Sequence, residues 1–370
     1  VDPKFKMPQV WRSNLNVDIQ LPYDFMLSVG AMYTRDIYNV AQINMNEAEP
    51  TGVYNEQPDR IYWASKKYEY NDYTNGKNVV VKLSNGEDKG YQYSFNAILT
   101  KKYDFGFTGS IGYTYTMAKD LTANPGSAPN SAWQNNVAVN SLNDPGVSYS
   151  LFSTPHRIIA NASYEINYAK CLKTTFSLFY SGYHTGRYSY TYYNDMNGDG
   201  NYSDLIYVPN SQDEMTFVDI TDKSGAITYS AVDQAKDFWD FVNNDSYLKD
   251  RKGKYVERNG SLTPWINRFD FKIAQDFYAT LGGRKYGIQV SLDMLNVGNM
   301  INSKWGAYQS CGLKSYDNVQ LLKTASKVGE PLTYQINANS REAFKERSSW
   351  QYTNTIGSAW SMQLGVKVTF

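Results

Sequence analysis

The chain has 370 residues, with 36 basic and 36 acidic side chains. That balance leaves no basic surface and argues against nucleic acid as a partner. Mean hydropathy is -0.55, and no stretch approaches the roughly 20 apolar residues of a membrane helix. The 33 Tyr, 8 Trp and 16 Phe instead match either a Tyr-rich secreted β protein or a transmembrane barrel, in which alternation replaces long apolar runs.

Nine segments alternate with period two. The first is 11–21, with Trp11, Ser13, Leu15, Val17, Ile19 and Leu21 on one face and Arg12, Asn14, Asn16, Asp18 and Gln20 on the other. The second starts near Phe25 and carries Leu27, Val29, Ala31 and Tyr33. The third sets Tyr91, Tyr93, Phe95, Ala97 and Leu99 against Gln92, Ser94, Asn96 and Thr100. The fourth sets Phe105, Phe107, Ile111, Tyr113 and Tyr115 against Thr108, Ser110, Thr114 and Thr116. In the fifth, Ile158, Ala160, Ala162, Tyr164 and Ile166 oppose Asn161, Ser163, Glu165 and Asn167.

The sixth runs from Leu172 through Phe176, Leu178 and Tyr180 toward Tyr193. The seventh sets Phe269, Phe271, Ile273 and Phe277 against Arg268, Asp270, Lys272 and Asp276. The eighth sets Ile288, Val290 and Leu292 against Gln289, Ser291 and Asp293. The ninth is WSMQLGVKVTF, 360–370, which ends on Phe370.

Connections alternate between short and long. The short ones are PYD (22–24), Tyr103–Asp104, YAK (168–170) and LGGRK (281–285); the long ones span 44–87, 120–154, 195–262 and 302–355. Outer-membrane barrels combine short periplasmic turns with longer extracellular loops. With the short turns periplasmic, the first and ninth strands both run inward and Phe370 ends in the periplasm. Within the loops, Ser230 is a helix N-cap with Asp233 three residues on, so 230–244 is predicted helical, and 339–346 forms a second helical turn. The fold expected is all-β: an antiparallel transmembrane barrel sheet, one domain over 1–370. Nine is an odd count where such barrels are even, so the chain is expected to be part of a larger barrel.

The sharpest local motif is NDMNGDGNYSDLIYVP, 194–209. Asp195, Asn197, Asp199, Asn201 and Asp204 alternate oxygen side chains on a loop bent by Gly198 and Gly200, a pattern that wraps a hard cation such as Ca²⁺. The twelfth-position Glu of an EF-hand-type loop is missing, Val208 standing there, and an Asx-rich turn capping its own backbone N–H groups is the alternative. His156 and His184 are the two histidines, expected at the rim of the membrane. Cys171 and Cys311 make neither a disulfide framework nor a zinc site. No nucleophile elbow, HExxH, P-loop or Rossmann fingerprint is present, and no enzyme activity is expected.

Six pieces carry a family resemblance: 2–22, 153–166, 194–209, 264–277, 290–299 and the terminal strand. In this order they resemble TonB-dependent outer-membrane receptors, in particular the Oar-like branch common in Bacteroidetes-type bacteria. The resemblance implies a 22-stranded barrel, a plug domain that is absent here, and energisation by the TonB complex through that plug. It also implies that an aromatic carboxyl terminus is read by the barrel-assembly machinery. The expected function is transport of an unidentified substrate captured by surface loops. Expected partners are outer-membrane lipid, the remaining barrel strands or plug in the same or another chain, and a surface lipoprotein or extracellular partner. An outer-membrane adhesion or structural protein is the alternative, and a secreted calcium-stabilised enzyme or lectin the third.

Overall fold

The computed structural model describes the chain apart from residues 71–77, 203, 312–313, 316–317, 338–343, 345–349 and 354. It is all-β in character, and its main sheet is antiparallel throughout. Nine strands follow one another as a meander: β1 (Gln9–Leu21), β2 (Phe25–Tyr38), β3 (Tyr91–Lys102), β4 (Phe107–Asp120), β5 (His156–Tyr168), β6 (Leu172–His184), β7 (Trp265–Leu281), β8 (Arg284–Leu295) and β9 (Ser361–Thr369). A short tenth strand, Ser148–Tyr149, adds to β4. β1 and β9 do not pair with each other, so the sheet is open. All nine predicted strands are present.

Register decides the character of the sheet. Shifting a strand by one residue would exchange its two faces, yet the apolar sets meet at every one of the eight pairings. Ile19 faces Leu27, which faces Leu99, which faces Ile111. Ile111 faces Ala160, which faces Tyr180, and Tyr180 faces Phe269. Ile273 then faces Leu292, and Leu292 faces Leu364. The result is one continuous apolar face, whose charges, Arg35, Lys101, Lys119 and Arg284, stand near strand ends.

That apolar face is uncovered. Ile111 is 55% exposed, Ile288 48% and Phe277 45%, although all three lie on interior strands. The buried residues of the strands, Thr34, Ala118, Ser181, Ala274, Asp276 and Ser291 among them, belong to the polar face. Gly182, beneath Tyr180 and Trp265 on the apolar side, is the exception. This is the burial pattern of a sheet curved around its polar side.

The apolar core lies in the long connections, which fold together as a cap over one end of the sheet. A mixed six-stranded sheet there includes Arg187–Tyr192, Asn318–Thr324 and Thr333–Ile336. Around it pack Tyr190, Tyr192, Ile206, Val208, Val319, Leu321 and Leu322, each at most 1% exposed. The predicted helix is present as α2 (Ala231–Asn244), after a shorter α1 (Pro129–Gln134). Ser230 Oγ accepts from the N–H of Asp233 at 3.1 Å, which fixes the start of α2. Its Phe238, Phe241 and Val242 enter the core. The helical turn expected at 339–346 lies outside the described residues except for Phe344.

Two strand boundaries differ from expectation. The sixth stops at His184, and Arg187–Tyr192 departs into the cap sheet, where it runs parallel to Asn318–Thr324. The fourth starts at Phe107 because Phe105 belongs to a turn closed by the Gly106 N–H on the Tyr103 carbonyl, 3.1 Å. Among the described residues, no helix is long and apolar enough to cross a membrane.

Candidate functional site: a buried acidic loop and a paired polar face

The 194–208 loop begins where the Arg187–Tyr192 strand leaves the cap sheet. Gly198 and Gly200 take positive φ values of 82° and 95°, which side chains with a Cβ rarely adopt. The reversal they permit folds the loop back on itself. Asp195 uses both carboxylate oxygens on backbone, accepting from Gly198 N–H at 2.7 Å and Gly200 N–H at 2.8 Å. Asn197 Oδ1 accepts from Asp199 N–H, and Asp199 Oδ1 from Asn201 N–H, at 3.0 and 2.7 Å. Asp204 Oδ2 accepts from Met196 N–H at 2.9 Å.

All five residues expected to be ligands are thus brought into one loop, in a chain of Asx turns. The loop is buried rather than displayed: Asn197, Asp199, Asn201 and Asp204 are each under 5% exposed. Among the described residues, no group of three Asp, Glu, His or Cys side chains converges to hold a metal ion. The charge of the loop is nonetheless poorly compensated. Burial pushes Asp204 up to about 7, against the pull of the Arg60 guanidinium 3.4 Å away. Burial raises Asp199 well above the usual carboxylate range, and Asp204 and Asp195 add to the rise. Asp195 is raised by burial as well. Among the described residues, the buried Nδ2 of Asn197 has no hydrogen-bond partner.

Arg60, fully buried, was not foreseen as a site residue. Its guanidinium donates to the carbonyls of Val139 and Leu205 and to Gln57 Oε1, and stacks 4.8 Å from the Tyr255 ring. Gln57 Nε2 in turn donates to the hydroxyls of Tyr192 and Tyr334, each at 2.9 Å. One cation therefore ties three of the long connections to the acidic loop. An arginine in a polar loop gives no sequence signal for this; only the tertiary contacts do.

On the sheet, the four charges of the seventh strand are all paired on the polar face. Arg268 meets Asp270 at 3.0 Å and Lys272 meets Asp293 at 2.8 Å. Asp276 accepts from Gln289 at 2.8 Å and lies 3.7 Å from Lys173. His156 and His184 are held separately at the cap end of the apolar face. The His156 ring bonds the Tyr113 hydroxyl at 2.7 Å, and His184 Nδ1 lies 2.6 Å from the Thr263 carbonyl. Their hydrogen-bond partners are different. Cys171 is exposed and Cys311 is buried, and they are not bonded to each other. Comparison with protein-family models, curated proteins and solved structures found no match to this chain.

Proposed function

We propose that the chain is the carboxyl-terminal barrel part of a TonB-dependent outer-membrane transporter, with the cap outside the cell and the carboxyl terminus in the periplasm. The observation that carries this reading is the uncovered apolar face, kept in register through eight strand pairings and backed by a face of paired charges. A soluble protein would leave that whole face in water, far beyond the patch size monomers tolerate. In a bilayer the same face meets acyl chains and the charged face lines an aqueous lumen. The unpaired N–H and C=O groups along β1 and β9 then belong against further strands of one closed barrel, because lipid cannot satisfy them. The cap captures substrate, a plug carried elsewhere gates the lumen, and the polar face lines the path.

The acidic loop is given a stabilising role in this reading. Asp195, Asn197, Asp199, Asn201 and Asp204 supply oxygen ligands, as Ca²⁺ requires, and two buried carboxylates with a third half-buried one, against the Arg60 guanidinium and the Lys67 ammonium, leave room for protons or a cation. When bound, the ion would neutralise the loop; no step of transport runs through it. Calcium should raise the melting temperature of the cap saturably relative to chelator, and Asp199→Asn should abolish the increment. Equal melting in calcium and chelator would remove the ion from the account.

Function is tested by deleting the gene and measuring energised uptake of peptide and glycan mixtures, with and without an uncoupler. A transporter predicts loss of an uncoupler-sensitive uptake. Unchanged uptake combined with lost surface adhesion would favour the adhesion reading instead.

A further inference from the structure

At the cap end of the apolar face, β6 and β7 border a cavity of about 640 Å³. Its walls include Tyr180, Trp265, Phe269, Lys304, Trp305 and Tyr352. Gly182 leaves room for two of these walls: a Cβ there would stand 2.7 Å from the Trp265 ring and closer still to the Tyr180 hydroxyl. The polar tips of two walls are already satisfied: Tyr180 Oη and Trp265 Nε1 both donate to Asn267 Oδ1, at 2.7 and 2.9 Å. Their rings are left as apolar surface.

The cavity opens onto the continuous apolar face. The Tyr180–Phe269 pair lies in register directly next to Leu178–Phe271, two residues along the same strands. Above it, Met300 and Ile301 are exposed, and Trp305 is half exposed. Among the described residues lining it, Lys304 is the one lysine, arginine or carboxylate. Its ammonium sits 5.7 Å from the Tyr352 ring and forms no ion pair among the described residues.

We propose that this cavity holds an acyl chain of an anionic lipid of the outer leaflet, with the headgroup phosphate on Lys304. The proposal rests on the membrane reading above. Continuity with the apolar face selects a lipid chain as occupant. A cation beside the Tyr352 ring at the mouth of an aromatic-walled cavity, the pairing of ring and lysine that gathers at membrane interfaces, selects an anionic headgroup.

The test uses the full chain refolded into mixed vesicles of phosphatidylcholine and phosphatidylglycerol, with bromine on the acyl chains of one lipid or the other. The quenching of Trp305 is the difference between the wild type and Trp305→Phe. The expected result is about five-fold stronger preference for the brominated phosphatidylglycerol at Trp305, the enrichment one lysine near an anionic headgroup supplies, and loss of that preference in Lys304→Gln with quenching retained. Equal quenching by the two labels, or a preference that survives Lys304→Gln, would overturn the lipid site while leaving the membrane reading intact. Absence of quenching of every tryptophan by either label would overturn the membrane reading and the site together.

Discussion

The nine-stranded sheet and the cap are built on opposite plans. In the cap, Tyr190, Phe238, Val319 and Ile336 are buried and the chain is arranged around them. In the sheet, Leu15, Ile111, Ile288 and Leu364 point outward and exposed, while Asp276 and Ser291 are buried. One polypeptide thus obeys the hydrophobic effect in the ordinary sense in one region and inverts it in the other. Under the proposed membrane reading the inversion follows from a change of solvent along the molecule, water around the cap and acyl chains around the sheet.

The sharpest break between the regions comes from Arg60. Arg60→Ala should leave the Val139 and Leu205 carbonyls without their donor and Asp204 without its counter-charge inside the core, at a cost of about 3–5 kcal/mol. The loss should fall on the cap alone. A denaturant titration followed by cap and sheet reporters should separate into two transitions, and loss of both regions together would show that they fold as one unit.

Neighbouring positions on β4 sharpen the same contrast within the sheet. Ile111→Arg places a charge on the apolar face and should destabilise the vesicle-inserted protein by about 2–4 kcal/mol. Ser110→Arg, one residue away on the polar face, should cost far less. Equal effects in urea unfolding from vesicles would mean that neither face meets lipid.

A smaller effect concerns protons in the cap. Burial raises Glu47 above the usual glutamate range, although Ser141 and Asn143 donate to it at 2.6 and 2.9 Å. Its folded form therefore holds a proton that the unfolded form releases, so its contribution to stability falls as pH rises from the ordinary glutamate range into the raised one. Glu47→Gln should flatten that slope and change cap stability by under about 1 kcal/mol. A slope unchanged by the substitution would assign it to other groups.

The sheet was legible in the sequence because period two is a local signal and each of its nine long strands carries it. The end of the sixth strand was not legible. Tyr188, Tyr190 and Tyr192 continue the alternation of Phe176, Leu178 and Tyr180 in the same phase, so the pattern runs on although the chain changes sheets after His184. The acidic loop was legible as a turn rich in oxygen donors. Its burial was not, because that depends on the Arg60 guanidinium and the Trp63 N–H, which donates to the Asn197 carbonyl at 2.7 Å. Both come from a connection more than 130 residues earlier. The cap core was hidden for the same reason: its residues come from several separate connections, each polar overall.

Thiol accessibility along one central strand tests the inverted plan most directly. In a Cys171→Ser, Cys311→Ser background, cysteines are placed singly at Ser110, Ile111, Gly112 and Tyr113 and treated in outer-membrane vesicles with a charged, water-soluble thiol reagent. The account predicts modification of Ser110→Cys and Gly112→Cys, and protection of Ile111→Cys and Tyr113→Cys until detergent is added. Modification of Ile111→Cys and Tyr113→Cys in intact membranes, with or without the other two, would contradict it.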